Sequence, residues 1–157
     1  MGRIKIQLPE HFSFSCIIPL RITDINYGGH AGNDAILSII HEARMQYLQS
    51  LGYTEMQFAG AGMIMANVAI EFKNELFYGD TVIASVTAYE ISKIGFDLVY
   101  KLETLRQACL PDRQAQGNIR VIIAVAKTGI ICYDYERKKI TGIPDEARKK
   151  LTERLPA

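Results

Sequence analysis

Ten residues, 24–33, read DINYGGHAGN: one acid, two amides, one imidazole and three glycines. These are the types that hold a water, donate to a carbonyl or move a proton. A largely apolar run follows, with Ile36, Ile39, Ile40, Ala43, Tyr47 and Leu51 at helical spacing. A polar, flexible turn feeding a helix presents backbone N–H groups, because the first turn of a helix has no internal acceptors for them. Asn33 or Asp34 is the expected N-cap. The free amides and the positive end of the helix dipole then lie beside the turn. Gly28, Gly29 and Gly32 permit unusual dihedrals and close approach of another molecule. Such donors polarise a carbonyl and stabilise a tetrahedral oxyanion, the demands of acyl transfer.

Candidate reagents are assigned with alternatives. Asp24 accepts N–H bonds across the turn, or acts directly. His30 donates to a carbonyl or orients water, or pins its own loop. Asn33 binds substrate or serves only as a cap. Asp34, Ser38, His41, Glu42, Gln46 and Gln49 form a polar stripe on the helix, and such a stripe must meet water, a neighbour or a ligand. Glu42 is the first candidate base, with His41 and Asp34 behind it. Alternatively, Glu42 pairs with Arg44 or Arg21, or satisfies a buried backbone group. Tyr27 and Met65 are pocket wall or core.

The elements that would position these groups follow from periodicity. Residues 12–22 read as a strand whose Pro19 demands an edge position or a bulge. The helix runs over residues 35–51 and ends at Gly52 as C′ residue. From Met63 the period is two, through strands that turn at Tyr78-Gly79-Asp80 and at Ser92–Gly95. Residues 107–117 read as a loop. Residues 119–135 form a long, interior strand, apolar on both sides. Residues 145–155 form a short charged helix after Ile143-Pro144. One helix and a run of strands is an α+β pattern. Because that helix is apolar over more than half its circumference, a sheet should wrap it.

The succession of Asp24-x-Asn26, Gly29-His30, Asn33, a long helix carrying Glu42-Ala43-Arg44, then Tyr78-Gly79-Asp80 and Ile143-Pro144 resembles the hotdog-fold thioesterases of the 4-hydroxybenzoyl-CoA type, over residues 12–148. The resemblance implies a hotdog fold, a curved antiparallel sheet of five to six strands around one central helix. It implies an acyl-CoA thioesterase acting without a cofactor, with Asp24, Asn26, His30 and Glu42 in catalysis. Tyr27, Gly28, Gly29, Asn33, Asp34 and Met65 would hold the substrate. Hotdog proteins pair with sites between subunits, so a homodimer or homotetramer is expected. That also answers the edge problem of an open sheet.

One departure matters. Asn26 stands where many relatives carry the second Asp, and an amide cannot serve as base or nucleophile. A non-catalytic acyl-CoA-binding module is therefore the alternative. A hydratase or dehydratase ranks below both, because its signature spacing is missing. A purely structural dimer ranks lowest.

Length and composition fit this reading. The 157 residues suggest a single domain, 1–157, able to bury about 70% of its unfolded surface. A net charge of +1 makes no case for nucleic acid or a membrane surface. The basic runs at 137–139 and 148–150 sit beside acids and read as solvated faces. Cys16, Cys109 and Cys132 show neither metal nor redox spacing, and His11, His30 and His41 form no ligand set. No signal peptide or membrane span is read, so free thiols and a cytoplasmic location are expected.

Overall fold

The computed structural model describes residue 2, residues 4–107 and residues 117–153. Strand β1 is Phe14–Pro19, followed by a 3₁₀ turn, Ile22–Asp24, and the long helix α1, Asn33–Ser50. Strands β2 (Gly62–Phe72), β3 (Thr81–Tyr89), β4 (Gly95–Gln107), β5 (Asn118–Asp134) and the short β6 (Lys139–Ile140) follow. Helix α2 is Asp145–Glu153. Cys109 and the end of the expected C-terminal helix, Leu155, lie outside the described residues.

The strands form one antiparallel sheet in the order β1-β3-β4-β5-β2, with β6 pairing with β5. The sheet curves around α1, which is the hotdog fold. Helix residues Ile36, Ile39, Ile40, Ala43, Tyr47 and Leu48 are buried against Val82, Val86, Leu98, Tyr100 and Leu102 of the sheet. Pro19 sits at the end of the edge strand β1, opposite Thr81. There its missing N–H costs no ladder bond. Gly52 ends α1 in the left-handed region, at φ 83°, as a C′ glycine does.

Two features depart from simple alternation. Between Met65 and Asn67 the β2–β5 register shifts, so one face of the strand passes from Met63 and Met65 to Val68 and Ile70; Met63 is in the core and Ile70 packs against it, while Met65 and Val68 are exposed. The 4–13 segment crosses the outer face of the sheet. Ile6 N–H donates to Glu71, the Phe12 ring lies under Lys101 Nζ at 5.4 Å, and Ser13 Oγ meets Thr87 Oγ1 at 3.1 Å. On that face Val99 and Val125 are buried outside the main core. Among the described residues no helix is long and apolar enough to cross a membrane.

Candidate active site

Residues 25–31 form a tight hairpin. Ile25 bridges Ala31, Asn26 N–H donates to His30 O at 2.9 Å, and Gly29 N–H donates to Asn26 O at 3.0 Å. Asn26 Oδ1 accepts the Gly28 N–H at 2.8 Å, an Asx turn that shapes the tip. Of the three glycines only Gly29 needs the left-handed region, at φ 80°. Gly28 is required for a different reason. A Cβ there would stand 2.9 Å from His30 Cε1, so the imidazole lies against bare backbone. Tyr27, at the tip, is wholly exposed.

The hairpin is tied at both ends. Asp24 is buried and accepts Arg21 N–H at 2.8 Å and the Arg21 guanidinium at 3.2 Å, while its own carbonyl accepts Gly32 N–H at 3.1 Å. Burial pushes the Asp24 carboxyl up, but the Arg21 N–H and guanidinium outweigh it and hold the pKa below the usual value. On the other side Ala31 N–H donates to Leu76 O at 2.8 Å and His30 bridges Phe77. His30 Nδ1 lies 3.9 Å from Glu75 Oε1.

The N-cap expected at Asn33 or Asp34 is instead Gly32, with φ −69° and ψ 160° and no side-chain cap bond. Asp34 folds its carboxylate back beside Gly32, into the space a Cβ would fill. The first helical bond is Ile36 N–H to Gly32 O at 3.1 Å. Among the described residues the N–H groups of Asn33, Asp34 and Ala35 make no hydrogen bond. Both Asn33 and Asp34 are exposed.

The polar stripe of α1 divides between two flanks. On the β1 flank, Ser38, Glu42 and Gln46 face Ile17, Ile18, Pro19, Arg21 and Asp24 across a groove of about 250 Å³. Glu42 is exposed and accepts Gln46 Nε2 at 2.8 Å; it pairs with neither Arg44 nor Arg21. Eight residues separate it from Asp34, about 12 Å along the axis. Cys16 is half-buried nearby. Burial, then the charge of Glu42, pushes its thiol up to about 11, so it offers no thiolate nucleophile.

On the β2 flank, buried Arg44 donates to Glu55 Oε1 at 2.6 Å and reaches Met65 Sδ at 3.5 Å. His41 Nε2 lies 3.4 Å from Glu55 Oε2. Met65 is therefore placed beside this ion pair, not beside the hairpin, and is 41% exposed. Sequence reading left Glu55 and Glu75 unremarked. Each lies in a connector and acquires its partner only through the fold. Among the described residues no group of three or more His, Cys, Asp or Glu side chains could hold a metal ion.

The sequence profile of the thioesterase-like superfamily matches residues 20–151, from just after β1 into α2. The chain belongs to that superfamily. A comparison with curated proteins gives no match. Solved structures share the fold at low identity. A thioesterase-superfamily protein from a Jannaschia species is 13% identical, with TM-score 0.76, covering 95% of this chain and 89% of its own. A 1,4-dihydroxy-2-naphthoyl-CoA thioesterase from Synechocystis is 17% identical, with TM-score 0.72 and coverages of 89% and 96%. A Thermus thermophilus thioesterase in complex with coenzyme A and zinc is 15% identical, with TM-score 0.72 and coverages of 93% and 97%.

Proposed function

We propose that this member of the thioesterase-like superfamily hydrolyses an acyl-CoA thioester. The observation that carries the reading is the set of unpaired N–H groups on Asn33, Asp34 and Ala35 at the start of α1, directly behind the Asn26–His30 hairpin. A thioester carbonyl placed there meets donors that strengthen as its oxygen becomes an oxyanion, an effect each worth a few kcal/mol in barrier. Asn26 spends Oδ1 on its own turn and keeps Nδ2 for the carbonyl or a water. Asp24 holds the hairpin to the helix through its main-chain and side-chain oxygens. Gly29, with open space where a Cβ would stand, lets the substrate approach the backbone, whereas the space at Gly28 is taken by the His30 ring. Glu42 lines the groove on the β1 flank, where it can hold water or the acyl chain.

Tyr27 and Met65 reach a substrate only if a second copy covers them. The proposed assembly is a homodimer formed along β2. That strand ends the sheet and exposes Met65, Val68 and Phe72, an arrangement that proteins seldom leave bare. A homotetramer would pair two such dimers.

The test is release of free thiol from a panel of acyl-CoAs, followed with a thiol reagent. Turnover by the wild-type protein that is lost in Asn26→Ala supports the enzyme; loss in Glu42→Ala extends the site into the groove. A binding module is the second reading, favoured by the amide at position 26. Saturable binding of acyl-CoA with no thiol release would establish it instead.

A further inference from the structure

The geometry points to Glu75 as a positioning residue that orients His30 as the general base of the proposed hydrolysis; this rests on the thioesterase reading and supplies the base that Asn26 cannot be. Three contacts set the backbone on both sides of the pair, while the Glu75 side chain itself is 63% exposed. The Ala31–Leu76 hydrogen bond and the His30–Phe77 bridge set the register that brings Glu75 alongside the hairpin. The Arg106 guanidinium holds the Glu75 main-chain carbonyl. On its other side the imidazole rests on Gly28, whose missing side chain leaves room for the ring alone. Among the described residues Glu75 is the one acid within ion-pair distance of that ring, at 3.9 Å from Nδ1.

A carboxylate facing Nδ1 selects the neutral tautomer with its proton on Nδ1, which leaves the lone pair on Nε2. The 3.9 Å separation is longer than a hydrogen bond. Catalytic contacts of this length shorten when substrate displaces water. Nε2 then takes a proton from the attacking water as its oxygen bonds to the thioester carbon. The tetrahedral oxyanion faces the amides of Asn33, Asp34 and Ala35. On collapse the C–S bond breaks and the proton on Nε2 passes to the departing thiolate. One acyl-CoA and one water become one carboxylic acid and one CoA thiol, with the imidazole returned neutral. Glu42, about 12 Å along the helix from Asp34, is too far to share that step within one chain.

A double-mutant cycle tests this, using the acyl-CoA that the wild-type protein turns over fastest. Glu75→Gln should lower kcat on the order of tenfold or more and leave KM within about twofold. Glu75→Asp should recover part of the loss. In a His30→Gln background, Glu75→Gln should cost nothing further, because the two act as one unit. Thermal melts of each variant show whether it is folded. Additive losses in the cycle, or an unchanged kcat in Glu75→Gln, would overturn the pair while leaving the thioesterase reading intact. A wild-type protein that releases no thiol would overturn both.

Discussion

The Arg44–Glu55 pair on the β2 flank allows a stability prediction with a worked magnitude. Arg44 has 7% of its side chain exposed, Glu55 30%, and their contact is 2.6 Å. At an effective dielectric of ~20 the gross attraction is about 6 kcal/mol. Most of it offsets the cost of taking the two charges out of water. Removing Glu55 leaves that desolvation cost in place and strands a guanidinium under α1. Truncating one partner of a fully buried pair costs about 3–5 kcal/mol. The partial exposure of Glu55 reduces this to about 2–3 kcal/mol for Glu55→Ala. For a chain of this size the melting temperature should fall by roughly 5–10 °C. Urea unfolding followed by circular dichroism gives the free energy, and a thermal scan gives Tm. A second variant separates the pair's attraction from the stranded charge. Arg44→Met with Glu55→Leu should recover most of the loss, since an apolar pair of similar volume serves a buried position as well. A Glu55→Ala protein within 0.5 kcal/mol of wild type, taken here as roughly the size of an ordinary surface substitution, would refute the argument.

Three further outcomes are expected. Gly95→Ala places a Cβ against the Ile130 carbonyl across the β4–β5 ladder. Neither backbone can yield, so urea unfolding should show a loss above about 2 kcal/mol, and an unchanged midpoint would contradict it. The folded-state pKa of Asp24 lies below its unfolded value of about 4. Its contribution to stability is therefore complete above about pH 4 and lost as pH falls through the folded value. Asp24→Asn should flatten the acid side of a pH–stability curve, and an unaltered slope would remove the argument. Cys16 and Cys132, both pushed up to about 11 by burial, should alkylate at pH 8 on the order of a hundredfold more slowly than an unfolded cysteine. Peptide mapping after timed labelling reads this directly, and rapid native labelling of either would contradict it.

What the sequence made legible was local. Pro19 announced an edge, Gly52 a helix end, and Tyr78-Gly79-Asp80 a turn, because each imposes its conformation without help from distant residues. Alternation from Val68 to Phe72 gave the strand faces, but not the bulge beside Met65, which exists only against Gly129 of the neighbouring strand. The N-cap was misjudged for a related reason. Asn and Asp are better caps in general, yet the extended cap conformation falls one residue earlier than either, at Gly32. The candidate site was legible as an inventory and illegible as an arrangement. Asp24, Asn26 and His30 stand out by type. The alliances of Arg44 with Glu55 and His30 with Glu75 span 11 and 45 residues and arise from packing. The path of the 4–13 segment over the outer face left no periodic trace.

The placement of Pro19 bears on how large an assembly this chain can build. A sheet grows by adding strands wherever a ladder is left open, and β1 closes its end with a residue that has no N–H to offer. If two copies join about a twofold axis along β2, the outer ends of the five-strand path among the described residues are the two β1 strands, each with Pro19 at its end. A strand added there would find one donor missing, at the end of β1, so extending the ladder from that border is less favourable than from an edge without proline.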